Sequence, residues 1–148
     1  MEKLLERWSP YLYATMRVVT GFLFACHGAQ KLLGILGGFG PEGTTARLFS
    51  LPWFAGAIEL LAGLLVLAGF LTRYAAFIAS GEMAVAYFLM HVRNGVWPIL
   101  NDGELAALYC FVFLFVAGRG AWVCSIDSLL QKARTAAQDK EAHGPVAA

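Results

Sequence analysis

His27, Lys31, Glu59 and Glu82 lie within apolar segments of membrane-crossing length. A charged side chain at the bilayer centre costs about 2.5–3.5 kcal/mol on insertion scales, so such residues pair, line a cavity or take part in chemistry. This set could exchange protons among carboxyl, imidazole and ammonium groups, or hydrogen-bond a polar ligand in an apolar slot. His27 stands four residues before Lys31, which makes the two neighbours on a helix. Arg17, Gly21, Phe24, Gly28 and Lys31 recur at steps of four, three, four and three, and so share one helix face. Small residues and cations on one face point it at other helices and not at lipid. The alternative for Arg17 and Lys31 is that each snorkels to its nearer membrane surface.

Gly56, Glu59 and Gly63 form a matching stripe on the second segment, where the glycines allow another helix close to the carboxylate. At ~1.5 Å rise per residue, Lys31 and Glu59 lie roughly 8 and roughly 10 Å from the outer ends of their helices. Equal depth predicts a Lys31–Glu59 ion pair, which could fix packing alone or also serve chemistry. Glu82, near the middle of the third segment, is either a proton-carrying group or a neutral carboxyl packed against a helix. His91 near the outer end reads as a polar anchor. Asn101 or Asp102 can cap the fourth helix, and Glu104 favours its positive first turn. Alternatively, Asn101 and Glu104 close the outer mouth over the His27–Lys31–Glu59 cluster.

The elements that must position these residues are helices. The 148 residues are 59% hydrophobic and 14% charged, against about 25% charged in an ordinary soluble domain. Mean hydropathy is +0.63. The expected fold is an all-α integral membrane four-helix bundle, with helices over 13–36, 52–71, 73–92 and 103–122, each near the ~20 residues that cross ~30 Å of hydrocarbon. A short turn at 69–72, containing Gly69, makes an antiparallel hairpin of the second and third helices. Residues 1–12 read as an interfacial segment, 13–124 as the transmembrane domain and 125–148 as a polar tail. In that tail Ser125 or Asp127 caps a short surface helix, and 141–148 is expected to be disordered. The first sixteen residues mix both charge signs and lack an A-x-A site, so no cleavable signal peptide is expected. Lys3, Arg7, Arg73, Arg119, Lys132, Arg134 and Lys140 gather on the termini and tight turn, against Arg47 and Arg93 in the two opposite loops. The positive-inside rule then places both termini in the cytoplasm.

Other classes are disfavoured. A net charge of +1 without a basic run gives no case for nucleic acid. Cys26, Cys110 and Cys124 form no CxxC pair, so neither a disulfide framework nor a cysteine metal site is expected.

Residues 12–130 resemble the DoxX family of small four-helix membrane proteins. The resemblance rests on Arg17-x3-Gly21-x6-Gly28-x2-Lys31, then Gly56-x2-Glu59-x3-Gly63-x5-Gly69-x2-Thr72-Arg73. It continues through Met83-Ala-Val-Ala-Tyr87-x3-His91, Pro98-x2-Asn101-x-Gly103-Glu104-x4-Tyr109 and Ser125-x-Asp127. Asp102 stands where the family often has glycine. The resemblance implies a multi-pass protein of the cell (inner) membrane linked to redox chemistry: one relative resembles a subunit of a thiosulfate:quinone oxidoreductase, and others are associated with oxidative-stress complexes. It transfers fold more firmly than function.

Two readings follow. In one the protein is a membrane subunit of a quinone-linked oxidoreductase. His27 and Lys31 would donate to a quinone carbonyl, Glu59 and Glu82 would relay protons, and Phe24, Tyr87 and Tyr109 would wall the ring, with Asn101 and Glu104 at the mouth. Arg17, Gly21, Gly28, Gly56, Gly63 and Arg73 would be structural. No haem-type histidine pair and no metal site are expected, and the electron donor would be a partner subunit or a soluble substrate. In the other reading the protein is a non-catalytic scaffold or a small-molecule or proton carrier, self-associating in the lipid bilayer, whose buried charges form a packing network.

Overall fold

Glycine sets where the apolar runs stop being helical. A computed structural model describes residues 1–142, and among them the chain is all helical with no strand. Helix α1 spans Glu2–Leu33 and ends at Gly34, α2 spans Leu51–Ala68 and ends at Gly69, and both glycines are left-handed (φ 66° and 68°). α3 spans Thr72–Ala86, α4 Glu104–Arg119 and α5 Ile126–Ala142. α2 and the helical stretch Thr72–Asn94 are each long and apolar enough to cross a membrane.

Several boundaries differ from the sequence expectation. α1 begins at Glu2 instead of residue 13, because the helix runs through Pro10. Proline's fixed φ suits a helix even though its missing N–H costs one backbone bond. The third helix leaves α geometry at Ala86, passing into a π-helical turn, Tyr87–His91, and then a 3-10 turn, Val92–Asn94. α4 stops at Arg119 because Gly120 (φ 80°) takes the chain out of the helix. The tail helix is longer than expected and reaches Ala142. The expected disorder from 141 onward otherwise falls on residues 143–148, outside the described residues.

α1 packs on α2, α2 on α3 and α3 on α4. Glycine permits the first contact. A Cβ on Gly21 would lie 2.6 Å from Leu67 N and 2.8 Å from Gly63 O, and one on Gly63 would lie 2.8 Å from Gly21 O. Gly28 meets Gly56 O and the Leu60 backbone in the same way, so the two helices touch backbone to backbone and run antiparallel. α1 also reaches α4, where Phe24, fully buried, packs on Tyr109 and Phe113 at ring-centroid distances of 5.4 and 4.6 Å. The polar pattern is inverted relative to a water-soluble protein: Arg17, Glu59, Thr72, Ser80 and Asn101 are buried, while Phe22, Phe77, Leu108 and Phe111 face outward.

Side chains fasten the end at which α2 meets α3. Arg17, with no exposed surface, donates to Val66 O (2.5 Å), Leu67 O (3.0 Å) and Cys124 O (2.7 Å). Two of its partners are carbonyls of the last turn of α2 and the third lies in the turn before α5, so Arg17 does not snorkel. Arg73 does the same for α4, donating to Ala117 O, Gly118 O and Arg119 O. Asp127 accepts from the N–H groups of Leu71 (2.9 Å) and Thr72 (3.0 Å), capping α3 from the far end of the chain. Ser125 caps its own helix through Oγ, which accepts from Ser128 N–H at 3.2 Å. The Ser-x-Asp pair thus caps two different helices.

Candidate functional site

The glycine face that welds α1 to α2 sets Lys31 beside Glu59. Lys31 Nζ pairs with Glu59 Oε1, and the ion pair expected from matching depth is formed. It is sequestered: side-chain exposure is 19% for Lys31 and 3% for Glu59. The aliphatic base of Lys31 sits on Gly56, where a Cβ would come within 2.7 Å of Lys31 Cβ. Phe39, from the loop after α1, lies 5.9 Å from the ammonium, within cation–π range. The loop returns to this point because Ala46 N–H donates to Lys31 O at 2.7 Å.

Glu82 on α3 lies within electrostatic reach of both Glu59 and Lys31. His27 lies within electrostatic reach of Glu59 and meets the Tyr109 ring edge-on at 6.1 Å. Tyr109, stacked on Phe113 at 5.7 Å, is buried and also lies within reach of Glu59 and Cys26. The four helices α1–α4 therefore bring His27, Lys31, Glu59, Glu82 and Tyr109 to one region. Two oxygens there, Glu59 Oε2 and Glu82 Oε2, are buried without a hydrogen-bond partner among the described residues. A buried acceptor without a donor costs about 1–3 kcal/mol, so each is a point where a proton or a polar ligand would be stabilised.

The other residues singled out in the sequence serve the neighbouring loop. Asn101 donates to Gly95 O (2.6 Å), accepts from Gly103 N–H (2.9 Å) and approaches the Tyr87 hydroxyl (3.5 Å). Tyr87 donates to Val96 O at 2.8 Å. His91, in the π-helical turn, contacts Asn101 O through Nδ1 at 3.0 Å and stacks on Tyr87. Neither Asn101 nor Asp102 caps α4 directly. The N-cap is Gly103, and Asn101 closes the turn before it. Asp102 adopts φ 59°, the left-handed conformation that favours glycine. Glu104 is exposed at the start of α4. Ser80, which sequence reasoning missed, donates to Cys110 O at 2.8 Å and ties α3 to α4. A hydroxyl isolated in an apolar helix was its only signal. Cys26, Cys110 and Cys124 are free.

Helices with polar groups inside and large apolar side chains outside define a membrane protein. The chain belongs to the DoxX family, whose model matches residues 12–92. It is 41% identical to an "Uncharacterized protein" of Haemophilus influenzae over 84% of this chain and 94% of that one. It is 32% identical to "Uncharacterized membrane protein Rv3486" of Mycobacterium tuberculosis over 90% of both chains. It is 24% identical to "Putative oxidoreductase CatD" of Bacillus subtilis over 80% of this chain and 87% of that one. No solved structure matches.

Proposed function

We propose that this protein is a redox-associated, quinone-linked membrane subunit whose site is the His27, Lys31, Glu59, Glu82 and Tyr109 cluster. In this reading α1–α4 form a four-helix transmembrane bundle over 13–124 in the cell (inner) membrane, flanked by an interfacial segment over 1–12 and a cytoplasmic tail over 125–148. The carrying observation is the pair of orphaned carboxylate oxygens, Glu59 Oε2 and Glu82 Oε2, beside a sequestered ion pair.

The residues fit a quinone. Its carbonyl only accepts hydrogen bonds, and Lys31, His27 and Tyr109 carry donors. Its reduced form donates O–H, which the orphaned oxygens would accept. A bound quinone supplies reversible two-electron, two-proton chemistry. The protein's share is to exclude water with Phe24 and Phe113, to offer the Lys31 charge, and to hold protons at Glu59 and Glu82. Tyr87 and Asn101 fasten the outer loop, and Glu104 stands at its rim. The name of the Bacillus subtilis relative supports the redox assignment.

The second reading, a non-catalytic scaffold or carrier, draws on the pairing itself, because a buried ion pair and glycine-welded helices serve packing equally well. Mass spectrometry of lipophiles extracted from protein purified in mild detergent separates the two. A stoichiometric quinone, lost in Glu59→Gln or Lys31→Met protein that remains folded, is the expected result. Folded protein without quinone, in a quinone-replete host, supports the scaffold or carrier instead.

A further inference from the structure

A second candidate site lies at the opposite end of the helices from the ion pair. A groove of 1270 Å³ opens between α5 and the adjoining ends of α3 and α4, with Arg73, Arg119 and Lys132 on its walls. A second groove of 620 Å³ runs along the first turns of α1, lined mainly by Leu5, Leu12, Met16 and Phe115, with Glu6 and Ser9 as its polar members beside Arg119. The two share the same pair of residues, Arg119 and Trp122. The Arg119 guanidinium lies 4.0 Å from the centre of the Trp122 ring, so these side chains form one partition, cationic and aromatic, between a basic groove and an apolar one.

We propose that this double groove binds an anionic phospholipid, with the phosphate headgroup over Arg119 and Lys132 and an acyl chain along Leu5, Leu12, Met16 and Phe115. Charge complementarity selects the headgroup. The two acidic residues lining the basic groove are Asp127 and Asp139. Asp127 is already engaged, both carboxylate oxygens accepting from the Leu71 and Thr72 N–H groups. Arg73, anchored on three carbonyls, supplies a fixed charge. Arg119 and Lys132 are exposed, and neither side chain donates a hydrogen bond among the described residues. A phosphate provides the acceptors that guanidinium and ammonium groups favour. Adjacency to an apolar groove selects a lipid over a free anion, since only an amphiphile occupies both. Basic pockets between helices on the cytoplasmic side are a recurrent form of anionic-lipid recognition. The inference rests on the membrane placement proposed above and not on the quinone.

The test is thermal unfolding of the purified full-length protein in a neutral detergent, titrated separately with phosphatidylglycerol, with phosphatidylcholine of the same acyl chains, and with inorganic phosphate. Phosphatidylglycerol is expected to raise the unfolding temperature saturably, by about 5–10 °C at a hundredfold excess over Kd, and the other two to leave it nearly unchanged. Lys132→Gln on the exposed face of α5 is expected to weaken the phosphatidylglycerol response at least threefold without moving the lipid-free unfolding temperature. Arg119→Gln/Lys132→Gln is expected to abolish the response. An equal response to phosphatidylcholine, an equal response to phosphate, or a phosphatidylglycerol response that is undiminished in Lys132→Gln overturns the proposal. Lys31→Met and Glu59→Gln, at the other end, leave the lipid response in place whatever happens to quinone retention, so the two proposals fail separately.

Discussion

Lys31 and Glu59 depend on each other. Removing one partner of a buried pair leaves the other charge uncompensated, at a cost of about 3–5 kcal/mol. Lys31→Met should therefore lower the unfolding temperature in detergent sharply, and Lys31→Met/Glu59→Gln should recover most of the loss. A double variant no more stable than Lys31→Met would show that Lys31 acts through its packing on Gly56 and Phe39, and not through the pair. Glu82→Gln should behave differently, because Glu82 Oε2 has no hydrogen bond to lose. Its stability should change by less than about 1 kcal/mol, while quinone retention, measured by mass spectrometry, should fall. Asp102 gives an independent test of backbone strain. At φ 59° a side chain costs up to roughly 1–2 kcal/mol relative to glycine, with aspartate among the better-tolerated types, so Asp102→Gly should raise stability in the same assay. The ion pair was legible in the sequence because helical rise converts position into depth. The role of Asn101 was not: its amide closes a turn with Gly95 and Gly103, and only the folded loop sets that geometry.

The helices themselves were legible, because their apolar runs are long and bounded by glycine and proline. Their irregularities were not. Pro10 is accommodated inside α1 instead of ending it, and the π-helical turn at Tyr87–His91 accompanies loop contacts of Tyr87 and His91 that have no local signature. The α1–α2 weld was partly legible as a stripe of small residues, but the register, Gly21 on Gly63 and Gly28 on Gly56, came only from the structure. That register makes a steep prediction. Gly28→Ala puts a methyl into the Gly56 and Leu60 backbone, where no side chain can move aside. Overpacking costs typically 1–3 kcal/mol, and contact with backbone places this variant at or above the top of that range, about 3 kcal/mol. Gly81, with open space around it, should accept alanine with little loss. If both variants unfold at the same temperature, the helices are not in backbone contact. Asp127→Ala removes the cap of α3 and frees the start of α5, and should cost about 1–2 kcal/mol. Asp127→Asn keeps one acceptor and should lose less.

At the scale of the whole molecule, the two ends have different chemistry. One end carries the ion pair and the two glycine-rich loops. The other carries Arg17 and Arg73 as clamps on helix carbonyls, the Asp127 cap and the basic groove of α5. A bilayer distinguishes such ends, because cationic segments remain on the cytoplasmic side. Cys124, exposed in the turn before α5, reports on the basic end. In a background of Cys26→Ala and Cys110→Ala, a membrane-impermeant thiol reagent should leave Cys124 unmodified in intact cells and label it once the membrane is opened. Leu100→Cys, at a side chain 75% exposed in the loop before α4, should label in intact cells when Cys124 is also removed. The opposite pattern would invert the protein and put the basic groove against the outer leaflet. Labelling of both sites in intact cells would mean that the chain between them crosses the membrane an even number of times. α4 would then lie outside the membrane or re-enter it, and the buried cluster would have to be completed by a second molecule.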